Sequence, residues 1–324
     1  MTEESPGAPG GGRPEDVRHR LVEVFGERVS ASVPLAGLTT FRTGGAADWL
    51  LETSDPADIV AAVRVTRVLD LPLTVFGGGS NVLVGDGGVR GLVVRVRHGA
   101  ISAHGTSTVR ADGGVTLNGL VRWAIQRGMA GLERWAGTPG TVGGAIYGNA
   151  HFDGLMVGDM VAEVGLVDRT GSILRVSGSE MAFGYDESRV QHTGEFVLWA
   201  NFDVAAGDPA KLRAAARESL GFRKRTQPLA QASAGCVFQN PRVTDDSLSG
   251  GVPRTAGALI DGAGLKGCRV GGAVVSTIHG NFIVSDGAAT SADVRTLIEH
   301  CRSAVVDRFG VLLREELVYV GVFG

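Results

Sequence analysis

The sequence predicts an α+β protein of more than one domain, and three observations carry that expectation. Helical apolar spacings alternate with short β-type runs in the first part of the chain, a group of antiparallel strand patterns follows, and two dense glycine clusters lie beside strands. At 324 residues the chain has room for two or three domains of roughly 100 to 200 residues each.

The elements can be justified in order. Residues 1–14 are rich in Gly, Pro, Ser and Glu, with almost nothing to bury, and are expected to form a disordered lead. Val17, Leu21, Val22, Val24 and Phe25 have helical spacing, and Gly26 is a stop. Arg42 and Thr43 precede a glycine pair and a strand through Trp49, Leu50 and Leu51. A helix follows: Ser54 or Asp55 can cap it, Pro56 suits its first turn, and Ile59, Val60 and Val63 face a core.

Leu73–Phe76 is the next strand, and it runs into Gly77, Gly78, Gly79, Ser80 and Asn81. Glycines there let backbone amides crowd against a ligand, and the short polar pair adds donors, which suggests a nest for a phosphate or pyrophosphate. A plain glycine turn between strands stays open as the alternative. The Rossmann fingerprint does not apply, because it needs a helix after the loop. Here Leu83, Val84 and Leu92–Val96 continue in β-type sequence.

Short strands are expected over Ile101–Ala111, then a helix through Leu117, Leu120, Val121 and Ala124 that Gly128 ends. The second cluster, with Gly137, Pro139, Gly140, Gly143, Gly144 and Gly148, again leaves room for close backbone approach to a flat or phosphorylated ligand. Val161–Asp168, Ile173–Val176 and Glu195–Val204 read as antiparallel strands, with the polar segment Met181–Gln191 between them. A helix over Asp208–Arg225 ends in Arg223, Lys224 and Arg225, a macrodipole cap or an anion site. A helix over Ser291–Arg308 leads to a terminal strand bearing Glu315 and Glu316. The expected domains are 15–207, split near 100, and 208–324.

Composition excludes several function classes. A formal net charge of −3, with 44% hydrophobic and 20% charged residues, provides no global basic field for nucleic acid or a membrane surface. Cys236, Cys268 and Cys301 are too widely spaced for a disulfide framework or a CxxC metal site, so no metal is expected. No apolar run approaches the roughly 18 residues of a bilayer span, and no basic and apolar signal opens the chain. A reduced, cytoplasmic protein is expected.

Seven segments in order, FRTGG, GGGSNVLV, GTPGTVGGAIYGNA, SAGCVFQNP, ALIDGAGLKG, GGAVVSTIHGNFIV and FGVLLREELVYVG, resemble the UDP-N-acetylenolpyruvoylglucosamine reductase family over about residues 38–322. The resemblance implies an FAD-binding domain of the vanillyl-alcohol-oxidase type in two α/β subdomains, followed by an α/β substrate-binding domain. It implies that NADPH reduces FAD and that hydride passes to a UDP-sugar enolpyruvyl ether in peptidoglycan synthesis. Arg42, Gly77, Gly78, Gly79, Ser80, Asn81, Gly137, Thr138, Pro139, Gly140, Thr141, Gly143 and Gly144 would then surround the FAD.

Cys236 stands where the family has a proton-donating serine, and a thiol, with an ordinary pKa of about 8.5, is the stronger acid. Glu316 matches the family's second catalytic residue, while Glu315 would point to the opposite face of a strand. Where the family has Tyr-Arg-x-Ser, this chain has Tyr185, Asp186, Glu187 and Ser188, so the expected arginine is an aspartate. Arg189 is the replacement candidate. Arg223 and Asn240 are expected on the substrate, and the short span between Val204 and Phe222 resembles the subclass lacking a tyrosine-bearing loop. A monomer is expected. Another FAD-dependent oxidase or dehydrogenase, or a flavin-binding homologue impaired by Asp186, are the alternative readings.

Overall fold

The computed structural model describes residues 14–241 and 252–324. The expected disordered lead lies outside them apart from Pro14, which opens the helix Pro14–Phe25. Val17, Leu21 and Phe25 on one face of that helix are buried.

The first sheet takes the strands in the order Val29–Pro34, Ala46–Thr53, Val89–Val96, Leu73–Phe76. The first pair is antiparallel and the other two are parallel. Parallel strands need crossover connections, and the helix Pro56–Val68 carries the chain from Ala46–Thr53 across to Leu73–Phe76, on the far side of Val89–Val96. Asp55 caps it by accepting from the Ala57 amide at 2.8 Å, Pro56 occupies its first turn, and Ile59, Val60 and Val63 pack on Leu92 and Val94. Val89–Val96 lies between two strands and has Leu92, Val93 and Val94 all buried, which explains its unbroken apolar run.

The second sheet is antiparallel throughout, in the order Ile173–Ser177, Val161–Val167, Phe196–Asp203, Thr108–Asp112, Ile101–His104. Leu120, Val121 and Ala124 of the helix Leu117–Gln126 share its core with Phe202 and Val164. A third core surrounds the small sheet of Arg269–Val270, Ala273–Val275 and Ile283–Ser285, covered by the helices Ala256–Gly262 and Ser291–Phe309. Cys301 is a buried member of it.

Two expectations are corrected by packing. The helix Pro209–Thr226 belongs with the second sheet: Leu212 and Ala216 join that core, and Ser219 Oγ donates to the Arg134 carbonyl at 2.6 Å. The change of core therefore follows this helix and does not precede it at 208. The terminal strand is also shorter than expected, Val318–Val320, and Glu315 and Glu316 precede it. It pairs in parallel with Val82–Val84, just beyond the first glycine loop. Asn81 fixes that return: its side chain donates to the Glu316 carbonyl at 3.0 Å, and its own carbonyl accepts from Val318 at 3.1 Å.

Candidate active site

The two glycine clusters touch each other. A Cβ on Gly77 would overlap the Thr141 hydroxyl, and one on Gly78 would stand 3.2 Å from Gly140 Cα, so glycine is what permits the approach. Among the described residues the amides of Gly78, Gly79 and Ser80 donate to no protein acceptor, although Gly79 is buried. A buried N–H without a partner is costly, and an anion held by the loop would satisfy it. The second cluster differs. Its Gly137, Thr138, Gly143 and Gly144 amides are spent on Asn118 Oδ1, the Trp135 and Gly113 carbonyls and Thr141 Oγ1. It contributes a close wall and few donors. Arg42 and Pro139 lie exposed at the edges. This cradle fits an FAD pyrophosphate.

Beyond the cradle lies a cavity of about 360 Å³ whose wall includes Cys236, Glu316, His151, Tyr185, Asn240 and Asn281. Asn281, buried, orders one side of it. Its Oδ1 accepts from the Phe238 amide at 2.9 Å, its Nδ2 donates to the Phe238 carbonyl at 2.7 Å, and its own carbonyl accepts from Val237 at 2.9 Å. The Glu316 amide donates to the Val237 carbonyl at 2.8 Å, which sets the glutamate beside the cysteine segment. Extended backbone alternates its side chains, and Glu315 turns the other way, onto Arg302.

The polar groups of this wall are strongly perturbed. His151 Nδ1 is 3.0 Å from Asp186 Oδ1, and acid or base atoms of His151, Asp186 and Glu316 all lie within 4.8 Å of one another. Burial, with the nearby Asp186 carboxylate adding to it, pushes Glu316 up to about 8. Burial likewise pushes the Cys236 thiol up, with the Glu316 and Asp186 charges adding, while a hydrogen bond with Asn281 and the charge of Arg223 oppose the shift. For His151, burial favours the neutral ring, but the hydrogen bond and charge of Asp186, with Glu316, outweigh it and raise the pKa. Near neutral pH, Cys236 and Glu316 both keep their protons. The arrangement can deliver a proton and hydrogen-bond an anion.

Cys236, Glu316 and Asn240 are thus brought to one cavity. Asn240 also accepts from the Ala256 amide at 3.0 Å through its side chain and donates its own amide to the Tyr185 hydroxyl at 3.3 Å. Arg189 is not brought there, a correction to the expectation. Its guanidinium makes two bonds of 2.9 Å to the buried Glu195 carboxylate, and Asp186 sits in a turn at φ +56. Arg223 is also off the cavity wall: buried, it donates to Thr138 Oγ1 at 2.7 Å and lies over the Phe152 ring at 3.7 Å. Burial lowers its pKa to about 10. His151 and Asn281 were missed as site residues, although they sit inside the segments GNAHFDG and HGNF.

Comparisons with known proteins agree with this architecture. Residues 47–177 match the family described as FAD binding domain, and residues 227–320 match UDP-N-acetylenolpyruvoylglucosamine reductase, C-terminal domain. A UDP-N-acetylenolpyruvoylglucosamine reductase of Synechococcus sp. (strain RCC307) is 39% identical over 295 residues, 90% of this chain and 93% of the relative. A UDP-N-acetylenolpyruvoylglucosamine reductase 2 of Symbiobacterium thermophilum is 40% identical over 292 residues, 90% of this chain and 91% of the relative. The crystal structure of the Thermus caldophilus UDP-N-acetylenolpyruvylglucosamine reductase superposes with a TM-score of 0.74 at 31% identity, covering 90% of this chain and 99% of that one. With both halves of the site and nearly the whole length matched, the chain belongs to the UDP-N-acetylenolpyruvoylglucosamine reductase family.

Proposed function

We propose that this chain catalyses the NADPH-dependent, FAD-mediated reduction of UDP-N-acetylglucosamine enolpyruvate to UDP-N-acetylmuramate in peptidoglycan synthesis, with Cys236 as proton donor and Glu316 as stabiliser of the anion formed before it. The observation that supports these roles is the convergence of Cys236 and Glu316 on one cavity, both shifted to hold their protons.

When bound, FAD reduced by NADPH supplies the hydride that adds to the enolpyruvyl double bond. The unpaired amides of Gly78, Gly79 and Ser80 would hold its pyrophosphate, and Thr141, Gly140 and their neighbours would form the facing wall. As the new C–H bond forms at the terminal carbon, the π pair moves towards the carboxylate and leaves an enolate. Protonated Glu316 donates a hydrogen bond to that charge. The S–H bond of Cys236 then breaks, its proton goes to the carbon bearing the ether oxygen, and the thiolate regains a proton from water. The hydrogen bond with Asn281 and the charge of Arg223 favour the transient thiolate. Asn240, on the wall, is assigned to the substrate. Arg223 is assigned to the second glycine loop through Thr138.

A monomer is inferred because one chain provides both the cradle and the cavity. The cytoplasm is inferred from three free cysteines and from the use of NADPH. No helix among the described residues is long and apolar enough to cross a membrane.

The test is NADPH oxidation with the UDP-enolpyruvyl sugar by the wild type and Cys236→Ala. The variant should keep flavin reduction by NADPH while sugar turnover falls by roughly 10²- to 10⁴-fold. Undiminished sugar turnover would remove Cys236 from the mechanism.

A further inference from the structure

We propose that His151, held by Asp186, carries the positive charge that receives the carboxylate of the enolpyruvyl group. The inference rests on the function proposed above, since it presumes an anionic substrate in this cavity.

The substrate brings a carboxylate, and the reaction adds enolate charge beside it. Behind the wall residue His151 stands the carboxylate of Asp186, at 3.0 Å, with the Glu316 carboxyl close by. An anion beside Asp186 needs a cation close to that carboxylate, and the other cations nearby stand in different relations to the cavity. Arg189 is bound to Glu195, Arg223 is not among the lining residues and donates to Thr138, and Lys266 lines the cavity but is paired with Asp261 at 2.7 Å. His279 lies on the wall too, but burial lowers its pKa and favours its neutral form. His151 remains. It lines the cavity, its Nδ1 is engaged by Asp186, and its ring packs on Tyr185 with centroids 4.7 Å apart, so the imidazole is fixed in place.

Asp186 is well placed to keep that ring charged. Its side chain is 6% exposed, and its Oδ2 is buried with no hydrogen-bond partner, so His151 is the cation against which this carboxylate is balanced. Two other groups act on His151. Glu316 favours its charged form once it is itself ionised, Arg223 opposes it, and Cys236 remains neutral as a thiol. His151 would touch the substrate and is catalytic in that sense. Asp186 is a positioning residue.

The test uses the holoenzyme with two readouts, steady-state turnover and calorimetric binding of UDP-N-acetylmuramate without NADPH, each across pH. The variants are His151→Gln, Asp186→Asn and the double variant His151→Ala with Asp186→Arg. His151→Gln should lower kcat/KM on the order of 100-fold and weaken UDP-N-acetylmuramate binding. It should leave flavin reduction by NADPH and the binding of UDP-N-acetylglucosamine, which lacks the carboxylate, unchanged. In the wild type, product affinity should be lost as pH rises through the raised His151 pKa. Asp186→Asn should move that loss to lower pH, and the double variant should recover turnover and bind product without the pH dependence that His151 sets.

The proposal is overturned if His151→Gln turns over and binds product as well as the wild type does. It is equally overturned if His151→Gln weakens UDP-N-acetylglucosamine as much as the carboxylate-bearing product, since the ring then serves the fold. A wild type that reduces its flavin but never the enolpyruvyl sugar defeats the functional reading itself, and is distinguishable from either result.

Discussion

The glycine cradle is built by leaving side chains out, and the cavity next to it by crowding polar side chains together. At Gly77 and Gly78 the two loops approach so closely that a Cβ would meet Thr141 or Gly140, and the ligand-facing chemistry is left to backbone amides. In the cavity the working groups are side chains drawn from positions 151, 236, 281 and 316, with Asp186 against His151, and burial first, then proximity, shifts the protonation of His151, Cys236 and Glu316. The cradle therefore tolerates little added volume but is insensitive to pH. The cavity tolerates changes of shape better than changes of charge.

The sharpest way to break this comparison is to remove the donor from the cavity. Cys236→Ala should show the largest loss of sugar turnover of any single change, with the flavin still bound and still reduced by NADPH. Cys236→Ser restores an O–H donor of similar size and should recover much of it. Stopped-flow measurement of the two half-reactions separates the regions: if Cys236→Ala slows flavin reduction as much as sugar reduction, cradle and cavity are not functionally distinct.

Next in size is Glu316. Glu316→Ala removes a hydrogen-bond donor aimed at developing charge and should cost on the order of 10²-fold in kcat. The wild-type kcat should fall as pH rises through about 8, where Glu316 loses its proton, and Glu316→Gln should lose that limb. The stability sign is equally definite. A carboxyl whose folded pKa is raised above its unfolded value stabilises the fold fully only below the unfolded pKa, and that contribution is lost as pH rises towards about 8. Denaturant midpoints for Glu316→Gln should therefore gain on the wild type between pH 5 and about 8. Glu315→Gln, on the opposite face with Arg302, should leave the pH–rate profile as it was.

In the cradle the corresponding change is one of volume. Gly77→Ala forces the new methyl against Thr141 and should destabilise the protein by roughly 1–3 kcal/mol, read as a lower denaturant midpoint and a lower flavin content at every pH. A Gly77→Ala protein that binds FAD normally would mean that the loops part easily, and that their contact does not define the cradle.

The same contrast decides what could be read from the sequence. The helix Pro56–Val68 was legible because its cap, its proline and its apolar spacing are local. The glycine loops were legible because the need for glycine is written at each position. The helix Pro209–Thr226 was legible as a helix, but its choice of core was not, since Leu212 and Ala216 could pack on either neighbour. Cys236 and Glu316 emerged through the resemblance of whole segments and not from their own chemistry. His151 and Asn281 gave no signal of their own, because what makes them functional is tertiary: a carboxylate at 186 for one, the Phe238 backbone for the other.

Arg189 gives the smallest effect on turnover and separates charge that serves the site from charge that serves the fold. Its guanidinium clamps Glu195, a buried carboxylate whose pKa is lowered first of all by that hydrogen bond. Arg189→Ala leaves Glu195 with Thr193 as its remaining side-chain partner at 2.7 Å and should cost about 1–3 kcal/mol of stability near neutral pH. Because the folded pKa of Glu195 is depressed, the stabilisation is present above its unfolded pKa and is lost as pH falls, so wild type and variant should converge in acid. Turnover of the enolpyruvyl sugar should be unchanged. If Arg189→Ala instead lowers turnover at undiminished stability, the guanidinium reaches the substrate in the working enzyme, and the cation assigned to His151 has a rival.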